Sequence, residues 1–279
     1  RLFVELAPRA AVVSIDDPYG ARLAAEQRAG ELVRVSREGR EEAEVRVRQA
    51  ALGRDGIRAR VDVRGVEVEL ASPLLGGHNL DNLLTALGCL VALGYAPDAA
   101  VSALGTARGA PGRLERVDGL AGVAVLVDYA HTPDALARAL DALAAITPGR
   151  RIVVFGCGGD RDAAKRPQMG EAAASRADVA LVTSDNPRTE DPYAILAAIE
   201  PAVAAHLPAA DLSRAARGYE VIEDRARAIQ RALGVARPGD TVLIAGKGHE
   251  DYQIRGTTKL HFDDREEARA AIRELGGAP

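Results

Sequence analysis

Apolar and polar positions follow two different rhythms along this chain, and the change between them divides it. Over residues 10–70 the period is mostly two. "AEVRVRQA" (43–50) and "IRARVDV" (57–63) alternate, with Val45 and Val47 on one face and Arg46 and Arg48 on the other, as in half-buried strands. "RDG" (54–56) and "RG" (64–65) stand where hairpin turns belong. "AAVVSIDDPYG" reads as an apolar strand closed by a turn, with Pro18 and Gly20 as the turn residues. Together these predict a small antiparallel set attached to a larger sheet. From Asn79 to Leu93 the period becomes helical, and Leu80, Leu83, Leu84, Leu87, Leu90 and Val91 share a stripe. A second helix is expected from Pro97 to Leu104. The Gly/Pro-rich break "RGAPGR" (108–113) marks a domain boundary, giving units of 1–112 and 113–279.

Beyond the break the chain repeats strand then helix. Strands are expected at 122–127, 151–155, 178–183 and 241–246, and helices at 133–146, 167–175, 192–205, 225–233 and 265–275. These strands are continuous apolar runs, which implies burial on both faces: an α/β unit with a mostly parallel sheet covered by helices. Ligands of such sheets bind outside the carboxyl ends of the strands, so the loops that follow the strands carry the interest.

Composition narrows the picture. The 279 residues are 47% hydrophobic and 27% charged, enough for two globular domains. Only 3% are aromatic and Trp is absent, so the core must be built from Ala, Val, Leu and Ile. A net charge of -4, with arginines scattered, gives no reason to expect a nucleic-acid partner. No apolar run approaches the roughly 20 residues that span a bilayer, so no membrane is expected. Two cysteines, Cys89 and Cys157, make no disulfide framework and suggest a reducing cytoplasm. The start, "RLFVELAPRA", has no signal-peptide pattern, and a chain that opens on Arg1 reads as beginning inside a larger protein.

Four loops then stand out. In "DYAHTPDAL" (128–136), Thr132, Pro133 and Asp134 are explained by helix capping, whereas Asp128, Tyr129 and His131 are not. A carboxylate there could hold sugar hydroxyls, and an imidazole a phosphate or base. "GCGGDRDAAKRP" (156–167) combines three glycines with Arg161, Lys165 and Arg166. It is neither a Walker A loop nor a dinucleotide fingerprint, since Arg161 stands where a third glycine would be needed. Either it is a solvated basic helix end or it holds an anion, which would relieve cations placed near a helix N-terminus. In "SDNPRTEDPY" (184–193), Pro187 stiffens the loop, Arg188 offers a fork for a carboxylate or phosphate, Asp185 suits an ammonium, and Asn186 suits either. That set matches a zwitterion; it also matches a plain Asx-type turn. "GKGHEDYQ" (246–253) adds two glycines and Glu250.

In this order and spacing, "DYAHTPDAL", "GCGGDRDAAKRPQMG", "SDNPRTEDP" and "AGKGHEDYQ" resemble the C-terminal domain of the Mur ligases. "LLGGHNLDNLLTALGCLVALG" (74–94) resembles the helix entry of that family's central ATPase domain, and "GAPGRLERV" (109–117) its inter-domain hinge. The resemblance implies a Rossmann-like C-terminal domain preceded by the C-terminal part of the ATP-binding domain. It implies a cytoplasmic, monomeric ligase that uses ATP and Mg2+. ATP would phosphorylate the D-glutamyl carboxylate of UDP-MurNAc-L-Ala-D-Glu, and an incoming amine would displace phosphate to form the amide. The "DNPR" run is similar to that of members adding meso-diaminopimelate. Diaminopimelate carries one carboxylate more than lysine, and Arg188 would pair with it; lysine would leave that arginine unpaired, at a cost of about 1–3 kcal/mol. By the same resemblance Arg161, Asp185, Asn186, Pro187, Arg188, the backbone of Gly246, and Glu250 line the amino-acid pocket. Asn82, Arg113, Asp128 and His131 lie on the nucleotide side. No catalytic residue and no metal ligand is assigned.

The family's P-loop, G-T-x-G-K-T, does not occur in these residues, and the lysine that the family carbamylates is expected upstream of Arg1. The chain is therefore expected to be a fragment, inactive by itself. Competing readings are a sibling ligase adding lysine or acting on folate or cyanophycin, an NAD-binding oxidoreductase with Asp185 as its ribose acid, and a non-enzymatic scaffold.

Overall fold

The computed structural model describes residues 5–6 and 8–277. Residues 1–4, on which the reading of an interrupted start rests, lie outside them. The chain forms two compact units, Arg1–Arg108 and Gly109–Pro279.

The first unit runs β1 (Ala10–Ser14), α1 (Pro18–Glu26), β2 (Glu31–Ser36), β3 (Val45–Gly53), β4 (Gly56–Val63), β5 (Val66–Ser72), α2 (Gly77–Ala92) and α3 (Pro97–Gly105). Its sheet follows chain order, β1 to β5. The β1–β2 and β2–β3 pairs are parallel, and β3–β4–β5 form an antiparallel meander. Along β4, Ile57, Ala59, Val61 and Val63 are buried and Arg58 and Arg60 exposed, as the alternation requires. At the β4–β5 turn Arg64 and Gly65 both have positive φ, 52° and 85°, which matches the right-handed strand twist of a tight hairpin. The Leu80–Leu83–Leu84–Leu87 stripe of α2 packs on Val33, Val35, Val61 and Leu70.

Pro18 and Gly20 do not form the expected turn. They open α1: Asp17 caps it, with Oδ1 accepting from Tyr19 N at 2.8 Å and Gly20 N at 2.9 Å, and Pro18 occupies the first helical position, where a missing N–H costs nothing. A Cβ on Gly20 would overlap the Ser14 carbonyl, so glycine lets the helix leave β1 directly.

The second unit continues with β6 (Glu115–Val117), β7 (Ala124–Asp128), α4 (Pro133–Ala144), β8 (Arg151–Phe155), α5 (Lys165–Ala174), β9 (Val179–Val182), α6 (Pro192–Ala204), β10 (Gly218–Val221), α7 (Arg225–Val235), β11 (Thr241–Ala245), β12 (Tyr252–Arg255), β13 (Thr258–His261) and α8 (Asp264–Glu274). The main sheet has the order β10-β9-β8-β11-β7-β6, parallel except for β6. Val125, Val127, Ile152, Val154 and Ile244 face α7 and α8. Leu126, Val153 and Leu243 point the other way and are equally buried, on the side where α4, α5 and α6 pack. The mixed α/β class and the both-face burial are thus as the apolar runs predict. Because β9, β8, β11 and β7 are parallel neighbours, the four loops marked in the sequence leave the same edge. Among the described residues no helix is long and apolar enough to cross a membrane.

Candidate functional site

Two loops of the second unit, 184–193 and 246–253, meet at one buried lysine. Lys247 lies between Gly246 (φ 119°) and Gly248 (φ 55°), a backbone path that side chains rarely follow, and this turns Lys247 inward. Its side chain has no exposed surface. Nζ donates to Asn186 Oδ1 at 2.9 Å and to Tyr252 O at 2.8 Å, and stands 3.3 Å from Asp185 Oδ1 and 4.0 Å from Glu250 Oε2. Burial pushes the Lys247 ammonium below its usual range; the Asp185 carboxylate opposes this and the Arg225 guanidinium adds to it. Sequence reading passed over Lys247, although a lysine held between two glycines was a visible signal.

Asn186 is buried and almost fully used by the protein. Oδ1 takes the Lys247 ammonium and the Ile254 amide, at 2.9 Å each, and Nδ2 donates to Glu250 Oε2 at 3.2 Å. Both lone pairs of Oδ1 are engaged, so Asn186 cannot hold a ligand ammonium as its residue type suggested; one Nδ2 hydrogen remains. Asp185 Oδ2 and Glu250 Oε1 accept no hydrogen bond among the described residues, and Asp185 Oδ1 is buried without one. Asp185 Oδ2 and Glu250 Oε1 are the acceptors the pocket still offers. A nearby carboxylate, that of Glu250, raises the Tyr252 phenol above its ordinary range.

Arg188 adopts φ 53°, and its backbone joins the β12–β13 hairpin: its N–H donates to Ile254 O at 3.0 Å and its carbonyl accepts from Gly256 N at 2.7 Å. Its Nη1 donates to Gly159 O at 2.7 Å, and Nε and Nη2 have no acceptor among the described residues. The glycine loop makes room for this. A Cβ on Gly159 would overlap the Pro187 carbonyl, and one on Gly158 would stand 2.8 Å from Arg188 Nη1. Asp160 locks the same loops, accepting from Thr189 N at 3.1 Å and Thr189 Oγ1 at 2.9 Å. Arg161 stays exposed at the rim, its Nη1 3.5 Å from Asp160 O.

The basic helix start finds one anion inside the protein. Buried Arg166 pairs with Glu190 at 2.8 Å, and Lys165 Nζ donates to His131 O at 2.9 Å. The Arg166 charge is thus matched by Glu190, whereas Lys165 meets only a neutral carbonyl. Cys157, in the same loop, is buried, and desolvation pushes its thiol up to about 12.

On the β7 side, Asp128 is a backbone clamp. Its Oδ2 accepts from Leu114 N at 2.7 Å and its Oδ1 from Ala130 N at 2.8 Å. The clamp sets the loop that carries Arg113, whose guanidinium lies 5.0 Å from the Tyr129 ring centre. His131 and His249 flank the same ring at 4.5 and 5.0 Å. His131 Nδ1 lies 2.8 Å from Tyr129 O, a carbonyl to which it can only donate. Asn82 belongs to the first unit, exposed on α2, with Nδ2 3.4 Å from Asn79 Oδ1. Among the described residues no three His, Cys, Asp or Glu side chains gather to hold a metal ion.

Two family descriptions match the chain: the Mur ligase middle domain over residues 1–90, and the Mur ligase glutamate ligase domain over 112–248. A UDP-N-acetylmuramoyl-L-alanyl-D-glutamate–2,6-diaminopimelate ligase of Geobacter metallireducens is 48% identical over 288 aligned positions, covering 99% of this chain and 56% of that protein. A solved structure of a ligase of the same name is 34% identical, with a TM-score of 0.71 over 96% of this chain and 54% of its own. The MurF ligase of Thermotoga maritima in complex with ADP, 18% identical, shares the fold at a TM-score of 0.61. The chain spans about half the length of the curated relatives it matches. Two adjoining domain matches and relatives similar along almost the whole chain lead to one assignment: the chain belongs to the Mur ligase family.

Proposed function

We propose that this chain forms part of an ATP-dependent ligase that joins meso-diaminopimelate to UDP-MurNAc-L-Ala-D-Glu, in the cytoplasm and as a monomer. The observation that supports it is the pairing of opposite unmet needs on adjoining loops. Among the described residues, Asp185 Oδ2 and Glu250 Oε1 accept no hydrogen bond, and Arg188 Nε and Nη2 donate none. An amino-acid end bearing both ammonium and carboxylate satisfies both. Lysine has no second carboxylate to place on Arg188, and a closed site would penalise it.

ATP supplies the activation that turns a poorly electrophilic carboxylate into one with a leaving group. The contribution of these residues is to bind and orient. Pro187 and Gly159 hold Arg188 in place, the Gly246 turn brings Glu250 toward Asp185, and Arg161 at the rim adds positive charge. On the nucleotide side, Arg113, Tyr129 and His131 offer a cation, a flat ring and an imidazole, which suits a nucleotide's phosphate and base. Asp128 acts there through the loop it clamps. Among the described residues no group of three His, Cys, Asp or Glu side chains could hold Mg2+. With no P-loop motif among them, these 279 residues alone are expected to bind amino acid without turnover.

Calorimetric titration of the chain with meso-diaminopimelate and with L-lysine tests the proposal. Diaminopimelate should bind, and lysine at least about tenfold more weakly. Equal affinity for both would remove the diaminopimelate assignment; binding of neither would remove the pocket.

A further inference from the structure

A buried lysine needs a reason. Taking an ammonium out of water costs several kcal/mol unless its hydrogens and charge are met. Lys247 meets this with hydrogen bonds to Asn186 Oδ1 and Tyr252 O and an ion pair with Asp185 Oδ1 at 3.3 Å, drawn from the loop after β9 and from β12. An apolar side chain would fill the same space at lower cost, so packing does not account for it. Every charged group facing Lys247 matters here. Asp185 follows β9, Glu250 lies on its own loop, Arg225 projects from α7 and Asp264 from α8. Arg225 and Asp264 bind each other through two 2.7 Å hydrogen bonds and cancel. Asp185, Glu250 and Lys247 remain: two carboxylates and one ammonium, one net negative charge.

We infer that Lys247 is a positioning residue that sets both the aim and the charge of the amino-acid pocket. Its ammonium draws Asp185 Oδ1 and Asn186 Oδ1 inward. That leaves Asp185 Oδ2 and Glu250 Oε1 as the outward acceptors, and it lowers the charge they present to what one ligand ammonium neutralises. Without it, two like charges would share a small site, Asp185 and Asn186 would lose the contact that aims them, and the pocket would lose part of its hold on a cation. The inference rests on the diaminopimelate reading, and it adds a residue that would not touch the ligand.

Lys247→Gln keeps a hydrogen-bond donor and removes the charge; Lys247→Met removes both at similar volume. For each, thermal stability and the Kd for meso-diaminopimelate are measured beside the unsubstituted chain, with Lys247→Arg as the variant that keeps the charge. The expected result is a Kd raised about tenfold for Lys247→Gln. The loss should be larger for Lys247→Met, which also gives up the donor to Asn186 Oδ1, and smaller for Lys247→Arg. A merely structural lysine gives a different pattern: lowered Tm with unchanged Kd of the folded molecules, and that would overturn the inference. If both neutral variants failed to fold, Lys247 would belong to the fold and not to the pocket, which overturns it too. Absence of binding by the unsubstituted chain would instead strike the diaminopimelate reading itself.

Discussion

Arg225 and Asp264 pair side by side with no exposed surface on either side chain: Nε reaches Oδ1 and Nη2 reaches Oδ2, each at 2.7 Å. Arg225 Nη2 also donates to Ala245 O at 2.9 Å. The pair thus ties α7 and α8 to the end of β11, directly below the Gly246–Glu250 turn. Burial works against the Arg225 charge, but the Asp264 carboxylate outweighs it and holds the guanidinium above its ordinary range. Removing one partner leaves the other charged and buried, which is costlier than the pair itself. Asp264→Asn should lower the stability of the chain by about 3–5 kcal/mol, read as a shift in the urea midpoint at unchanged slope. A loss under about 1 kcal/mol would show that water or a rearrangement reaches the guanidinium.

Arg188 carries the selectivity prediction. One of its terminal nitrogens is spent on Gly159 O, which orients the fork without exhausting it. Arg188→Ala should weaken meso-diaminopimelate binding by about 1–3 kcal/mol, roughly 5- to 150-fold, while L-lysine affinity changes little. Nucleotide binding should be unaffected. Two titrations on the variant check this, and an unchanged ratio of the two amino-acid affinities would take the specificity role away from Arg188.

How much of this was legible in the residues depends on where each interaction is made. The parallel sheet was legible because Val125–Val127, Ile152–Phe155 and Val242–Ala245 are apolar on both faces, a pattern local to each strand. Short edge strands were not: Gly218–Val221 mixes Gly, Tyr, Glu and Val, and becomes a strand by pairing with β9. Helix α1 was hidden behind Pro18, which serves a helix start as readily as a turn. Within the site, the residue types of the 185–188 loop announced charge recognition. They could not announce that Asn186 spends its oxygen on Lys247 and on the Ile254 amide, 61 and 68 positions away. Those contacts exist because the β12–β13 hairpin folds back over the loop, and no local pattern encodes that return. Asp128 teaches the same lesson, since its partner Leu114 lies across the β6–β7 pair.

Asp240 gives the pH prediction. It sits in the turn before β11 and binds the Arg150 guanidinium through Oδ2 at 2.8 Å, the Arg150 amide at 2.8 Å and the Arg237 amide at 2.9 Å. Burial alone would raise its carboxyl, but these three donors outweigh burial and hold it below the ordinary value of 3.8. The folded carboxyl therefore binds its proton less tightly than the unfolded one. Its contribution to stability is fully present above the unfolded value and is lost as pH falls through the folded value. The urea midpoint of the chain should be flat in this respect from neutral pH down to about pH 5 and decline below about pH 4. Asp240→Asn removes the titrating group and weakens the Arg150 contact at every pH. The variant should start with a lower midpoint at neutral pH and then lose less than the unsubstituted chain on acidification. Parallel curves for the two proteins between about pH 5 and 3 would mean that the acid sensitivity resides in other carboxylates held low, such as Asp263 beside Arg265.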